Sequence, residues 1–512
     1  MGVAEMRPPR QLHPDDNVAV LIDNAPKDSR PLGAGDALTA ALAPGHKIAT
    51  RAIAVGEPII KLGQTIGFAA GEIALGAHVH GHNCVFRAHA AEYDSSAGLE
   101  AARAAIPNVT SRQFAGFQRD NGQVGTRNMI ALVSTVNCSA TTIRQAAMQV
   151  QQSGILQNYP NVDGIVACTH SLGCGMASEG PGWDNLQRVL WGYANHPNVG
   201  AALFVGLGCE VMQIAKLKHR FGSKDQTRIS GLTIQESGGT RATIAQIVAQ
   251  IHQLLPQINQ VSRAPCNLAH LTIGLQCGGS DGYSGITANP ALGYASDLLV
   301  AHGATVILSE TPEIYGAEQL LLQRAASKEV ANKLLKHLDW WQNYVDINNG
   351  TLDNNPSPGN KAGGLTTILE KSLGAVAKAG TTPLNDVVHY GEKPTANGLV
   401  FMDTPGYDPV SVTGQIAGGA QLIVFTTGRG SAFGSTPAPT LKLATNDRLF
   451  ETMHEDIDLN CGDMISQNIS VEQKGREIFE QIIATAEGVT TKSEKLGLGD
   501  HEFVPWQIGA VM

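Results

Sequence analysis

The sequence predicts a multidomain α/β protein: a small N-terminal β module followed by two α/β domains. Three observations predict it. At 512 residues the chain is roughly three times a common domain length, and 43% hydrophobic against 16% charged residues supplies several cores and excludes a disordered or fibrous chain. Over residues 13–85, short apolar alternations (NVAVLID, HKIATRAI, PIIKLGQTIGFA) are broken by Gly, Pro and Asp, the pattern of hairpins. From residue 115 onward, near-continuous Val/Ile/Leu runs alternate with helical stretches, the pattern of a parallel sheet covered on both faces.

Residues 1–85 form the β module, which ends in HVHGHNC, a histidine at every second position. Residues 86–114 are alanine-rich and polar and read as a linker carrying a short helix. Fully extended, such a linker reaches up to ~100 Å. Residues 115–262 hold the runs MIALVSTV, DGIVACTH, GAALFVGLG and RISGLTIQ with helices at 141–152 and 241–260. After a Pro/Gln-bearing stretch, residues 263–512 hold LTIGLQ, ATVILSE, GLVFMDT, QLIVFTT and TLKLATN, with helices at about 316–338, 364–379 and 470–486. The two α/β cores are expected to be separate.

The charge balance narrows the function. With 36 basic and 45 acidic residues and no basic run, nucleic-acid and anionic-membrane binding are excluded as expectations. No apolar run approaches the ~20 residues that span a bilayer, and the opening MGVAEMRPPRQLHPDD has no apolar core of an export signal. Eight cysteines, none in CxxC spacing, point to reduced thiols and a cytoplasmic setting.

Ligands of open α/β sheets bind just beyond the carboxyl ends of the strands. Four such ends each offer a thiol: Cys138 after MIALVSTV, Cys174 beyond DGIVACTH, Cys209 after ALFVGLG and Cys277 after LTIGLQ. Any one of them alone reads as a small buried hydrophobe; four in one kind of place read as a joint site for a soft metal such as iron. The spacing matches no zinc ribbon or ferredoxin pattern. His78, His80 and His82 share one strand face, as metal ligands or proton carriers, or as an exposed polar hairpin end. Three glycine-rich loops suit anions: CGGSDGYSGITANP (277–290) with Ser280 and Asp281, NPSPGNKAGG (355–364) with Asn360 and Lys361, and TTGRGSAFG (426–434) with Arg429, whose planar fork matches a carboxylate. None fits GxGxxG or a Walker A loop, so dinucleotide and ATP chemistry are disfavoured.

In this order, DNVAV, GHKIA, IIKLGQTIGFA, HVHGHN, GxxRxNGxVGTRN (116–128), SLGCG, GLGCE, CGGSDGYSGITANPALGYASDLLV, NPSPGNKAGG, KSLGAVAKAG and FTTGRGSAFG resemble the altronate/galactarate dehydratase family over nearly the whole chain. HVHGHN, YGAEQLL and NPSPGNKAGG are similar to the altronate type, whereas NCSA (137–140), Cys84 and Cys461 depart from it. The resemblance implies a β-clip (SAF-type) module, a middle domain and a C-terminal Rossmann-like variant, in a homodimer or higher homo-oligomer. It also implies dehydration of a sugar acid to a 2-keto-3-deoxy acid with Fe2+ (or Mn2+). Galactarate-type dehydration, a sulfolactate sulfo-lyase-like C–S elimination and a non-catalytic sugar-acid binder are the alternatives.

That chemistry assigns expected roles. His170 or Lys361 takes the α-proton, and His80, His82 or a metal-bound water protonates the departing β-hydroxyl. Arg429, Ser280, Asp281 and Asn360 bind substrate. The metal falls to His78 and His80 or to Cys138, Cys174, Cys209 and Cys277, with an iron–sulfur cluster on three of those thiols as the variant.

Overall fold

A computed structural model describes residues 6–87, 94–222 and 228–509. The N-terminal module is two small antiparallel sheets: Val18–Val20, Lys47–Ala49 and His78–Val79 in one, Pro58–Lys61, Gln64–Ala69 and Cys84–Val85 in the other. Residues 88–93 of the expected linker lie outside the described residues. From residue 94 the chain runs as a strap: Ser96 and Gly98 donate backbone N–H groups to the carbonyls of Leu322 and Gln323, and the short helix Leu99–Ala104 comes next. The far end of the strap is strand Gln113–Gln118, paired antiparallel with Arg263–Asn267 at the junction of the two α/β domains.

The middle domain is a four-stranded parallel sheet in the order Gly164–Cys168, Met129–Ser134, Val199–Gly206, Ile229–Thr233. Alternation along a strand sends successive side chains to opposite faces. Ile130 and Leu132 therefore pack with helices Asn137–Gln152 and Thr240–Ile258, while Ala131 and Val133 pack with helix Pro181–Ala194. The C-terminal domain is a seven-stranded, all-parallel sheet in the order Leu384–Val388, Gly398–Met402, Thr305–Leu308, Thr272–Cys277, Leu422–Thr427, Thr440–Ala444, Leu459–Asn460.

The cores are not separate, contrary to the sequence expectation. One buried cluster joins Val18, Ile59 and Val79 of the β module to Leu275 and Leu292 of the C-terminal domain. A second joins Leu186 and Phe204 of the middle domain to Ile416 and Phe425. The helix expected over 316–338 is broken into Gln319–Leu322 and Lys328–Ile347.

Candidate functional site

The chain enters the large sheet at Thr272–Cys277, lays the next strands to one side, and crosses to the other with Leu422–Thr427. A parallel sheet opens a crevice where its winding reverses, outside the carboxyl ends of those two strands. The 277–290 and 426–434 loops leave from these ends. Gly428 and Arg429 both donate backbone N–H groups to the Gly279 carbonyl, at 3.0 and 2.8 Å, so the loops are tied to one another. A cavity of about 430 Å³ lies here, lined by Asp281, Gly363, Gly428 and Arg429 from this domain and by Arg7, Ile22 and Pro44 from the β module.

The β module roofs that cavity through glycine contacts. A β-carbon on Gly282 would stand 2.1 Å from the Gly45 carbonyl oxygen, and one on Gly364 would stand 2.7 Å from the same atom. The loops are glycine-rich because backbones meet there, not because their N–H groups wait for an anion. Gly282 donates to the Gly363 carbonyl, Gly430 to the Thr427 hydroxyl and Gly364 to the Lys361 carbonyl. The Arg429 side chain lines the cavity, is exposed and has no ion pair or side-chain hydrogen bond among the described residues.

Beneath the roof, Glu370 is buried between two lysines of the module, 2.8 Å from Lys47 Nζ and 2.8 Å from Lys61 Nζ. Burial opposes its ionisation, but the two ammonium groups and their hydrogen bonds outweigh it and hold the carboxyl well below the usual range. The Tyr283 hydroxyl donates to the Leu21 and Ile22 carbonyls, fastening the opposite side of the roof.

The strand ends at Val79, so His80 and His82 lie in the turn that follows and not on one strand face with His78. The rings gather nonetheless: His78 stacks on His80 at 5.3 Å and is tilted against His82 at 5.5 Å between ring centroids. A fourth imidazole, His46, joins them from just ahead of strand Lys47–Ala49, because the register Ile48–His78, Lys47–Val79 leads it toward His80. Its Nδ1 lies 3.1 Å from His78 Nε2. Burial, then repulsion from His80 and Lys47, pushes His46 down to about 4, and burial, then repulsion from His46 and His80, pushes His78 down to about 3. These rings are neutral at physiological pH, the state that ligates metal. Two nitrogens at ~2.1 Å on one ion stand roughly 3.0–3.4 Å apart, so the His46–His78 pair has the spacing of two of a divalent ion's ligands, with no third His, Cys or carboxylate atom within 4.8 Å of both among the described residues. His80 donates Nε2–H to the Lys361 carbonyl at 2.8 Å, and His82 is exposed beside it.

The four expected thiols do not form one set. Cys277 lies at the end of its strand in the large sheet, near the Glu310 and Glu313 carboxylates. Lys378 donates to Cys277 Sγ at 2.9 Å, and Lys371 donates to Glu313 at 2.8 Å. Burial pushes the Cys277 thiol up to about 12, and burial together with Glu313 raises Glu310 well above the usual carboxylate range. Lys371 and Lys378 are already paired with Glu313 and Glu310, so this buried set does not fit a further divalent cation. Cys138, Cys174 and Cys209 sit instead on the middle domain, exposed.

Other expected residues turn out to hold the loops. Asp281 accepts from the Ser284 N–H and hydroxyl, the Thr445 hydroxyl and the Asn446 amide. It lines the cavity with its carboxylate already occupied. Asn360 caps helix Pro358–Ala362 with Ser357 and donates to the Ser280 carbonyl, and Ser280 is buried away from the main cavity. His170 is corrected as well. Its Nε2 donates to the Ser134 carbonyl at 2.8 Å, its Nδ1 accepts from Leu172 N–H at 3.0 Å, and burial pushes it down to about 4. With both nitrogens committed and the ring in the middle domain, it cannot serve as a base in this cavity. Lys361 remains beside Ala362 and Gly363, which line it.

Sequence reasoning passed over His46, Lys47, Lys61 and Glu370. Their pairings join segments distant in sequence, such as Lys47–Ala49 with His78–Val79, so no local pattern marked them.

Residues 10–87 match the family model for the altronate/galactarate dehydratase SAF domain. Residues 116–259 match that for the D-galactarate dehydratase/altronate hydrolase second domain, and residues 268–511 that for the D-galactarate/altronate dehydratase C-terminal domain. Altronate dehydratase of Bacillus subtilis (strain 168) is 35% identical over 490 residues, covering 95% of this chain and 96% of the relative. Galactarate dehydratase (L-threo-forming) of Escherichia coli (strain K12) is 34% identical over 498 residues, covering 95% and 94%. The beta subunit of (2R)-sulfolactate sulfo-lyase of Chromohalobacter salexigens is 31% identical over 403 residues, covering 77% and 97%.

Proposed function

The chain belongs to the D-galactarate/altronate dehydratase family, and we propose that it is a hydro-lyase converting an altronate-type sugar acid to a 2-keto-3-deoxy acid. The observation that carries this reading is the Arg429 guanidinium, without an ion pair among the described residues, on a cavity of about 430 Å³ at the winding reversal of the sheet, with the imidazole row bonded at Lys361 next to the cavity wall. That volume suits a small polar ligand.

In this reading the planar fork of Arg429 holds the substrate carboxylate. As the α-proton leaves, a second negative charge spreads onto that carboxylate, and a fixed guanidinium stabilises the doubly charged enediolate more than the singly charged ground state. Lys361, next to the cavity wall, takes the proton. His82, on the exposed end of the imidazole row, donates toward the departing β-hydroxyl, which leaves as water. The β module excludes bulk water from the step. His46 and His78, with His80 adjacent, would hold a divalent iron or manganese ion, which would supply Lewis-acid polarisation of the hydroxy acid. The enol released by loss of water then tautomerises to the ketone.

A second reading, aldarate dehydration, is favoured by one observation: Arg448 lines the same cavity as Arg429 and offers a second cation for a second carboxylate. The test is a panel of aldonates, aldarates and sulfolactate given to anaerobically purified protein with ferrous iron, with and without chelator. Chelator-sensitive ketone formation from an aldonate supports the first reading, and preference for an aldarate selects the second. Sulfite release from sulfolactate, or binding without turnover of any sugar acid, overturns both.

A further inference from the structure

Eight cysteines are present, and the fold sorts them. Cys84, Cys168, Cys266, Cys277 and Cys461 are buried, the ordinary condition of this residue. Only Cys138, Cys174 and Cys209 are exposed, and all three leave the carboxyl ends of the middle sheet. Their strands, Met129–Ser134, Gly164–Cys168 and Val199–Gly206, are immediate neighbours there.

The three loops are braced against one another. Asn137 N–H donates to the Leu172 carbonyl at 3.1 Å, and Val211 and Met212 N–H both donate to the Gly173 carbonyl at 3.1 Å. Gly173 has φ +99°, and a β-carbon on it would stand 2.1 Å from the Thr135 carbonyl oxygen, so only glycine brings the Cys174 loop this close. The Thr135 hydroxyl donates to Glu210 at 2.9 Å, which ties the Cys209 loop to the same point. Cys138 lies in the first turn of the 16-residue helix Asn137–Gln152, which has no side-chain cap, and a helix start favours thiolate and other anionic groups.

Spacing decides what such a thiol set can hold. Three thiolates on one ion at ~2.3 Å lie within ~4.6 Å of one another. Among the described residues, the one group of three ligand atoms within 4.8 Å is Cys277, Glu310 and Glu313, so the exposed thiols stand farther apart than a single zinc allows. A polynuclear centre, whose thiolates bind different metal atoms, takes thiols spaced more widely than that.

We propose that Cys138, Cys174 and Cys209 hold an iron–sulfur cluster, with one iron not bound by cysteine and open to water or an oxygen ligand. None of the three lines the cavity under the β module, so this centre is distinct from the ion assigned to His46 and His78 and does not rest on the dehydratase reading.

The test uses full-length protein purified anaerobically. The expected result is iron with acid-labile sulfide, about four of each per chain for a cubane cluster, and a broad visible absorption that bleaches on reduction. Cys174→Ser and Cys209→Ser should lose sulfide and colour while keeping the wild-type circular dichroism, and Cys277→Ser should keep both. Independently of any variant, the three thiols should resist alkylation until iron is stripped, and then react. Metal without sulfide, or sulfide that survives both Ser variants, or the three thiols alkylating freely in the coloured protein, overturns the proposal.

Discussion

Arg429 leaves the sheet two residues past Thr427, its side chain exposed and bonded to nothing among the described residues. A guanidinium in that position contributes little to stability, so its replacement separates binding from folding. Arg429→Lys keeps the charge and loses the two parallel N–H groups. A lost charge-assisted bond of ~1.5–3 kcal/mol corresponds to roughly a 10- to 100-fold fall in kcat/KM, with the thermal midpoint unchanged. Steady-state kinetics beside a melting curve check this; wild-type kcat/KM would reassign the loop to structure. Arg429 was legible because an arginine among glycines after an apolar run has few structural uses. His46 was not, since a single histidine ahead of a strand looks like any surface histidine until the pairing of two non-consecutive strands brings it to the HVHGH segment. His170 misled for a related reason: its place after a strand is also where a ring can bridge two backbone groups.

At the scale of elements, the docking of the β module depends on helix Ile368–Ala377, which carries Glu370 to Lys47 and Lys61. Glu370→Gln leaves Lys47 Nζ buried with the Gly364 carbonyl and without its counter-charge. Breaking a buried pair from one side costs about 3–5 kcal/mol, so the variant should melt several degrees lower and lose its module to limited proteolysis sooner. The same contact sets a pH dependence. The folded-state carboxyl is held below its unfolded value of about 4.3, so its stabilisation is complete above that pH and is lost as pH falls toward the lowered folded value. Acid unfolding of wild type below about pH 4.3 should be steeper than that of Glu370→Gln, and equal slopes would remove Glu370 as the cause. The strands here were legible from their apolar runs. Helix Ala288–Ala301 was not, because it is buried on nearly every side and carries no polar stripe. Helix Pro181–Ala194 was hidden by the Pro-Gly pair at its start, which reads as a turn but serves as a first helical turn.

At the scale of the molecule, three segments were countable from sequence, but which apolar faces meet was not, because periodicity marks a face without naming its partner. The structure merges the faces. The β module shares a core with the large sheet, and the middle domain shares another through helices Pro181–Ala194 and Asp408–Ala417, where a β-carbon on Gly192 would stand 2.3 Å from the Ala417 carbonyl oxygen. A chain begun near residue 113 would therefore expose the side of the C-terminal core that Val18, Ile59 and Val79 now cover, and its loss of turnover would not isolate a role for the roof. Cooperative unfolding tests the shared cores directly. Elements buried against one another unfold together, since none keeps its apolar contacts when its neighbour leaves. The five tryptophans, Trp183, Trp191, Trp340, Trp341 and Trp506, all belong to the core between the middle and C-terminal domains. Their fluorescence thus reports that core, while protease cleavage in 6–87 reports the β module. Both probes and calorimetry should trace one transition at one midpoint. A β module that becomes cleavable well below the tryptophan transition would mean that its contacts with the large sheet carry little stability, and the roof over Arg429 would then be a loosely held lid.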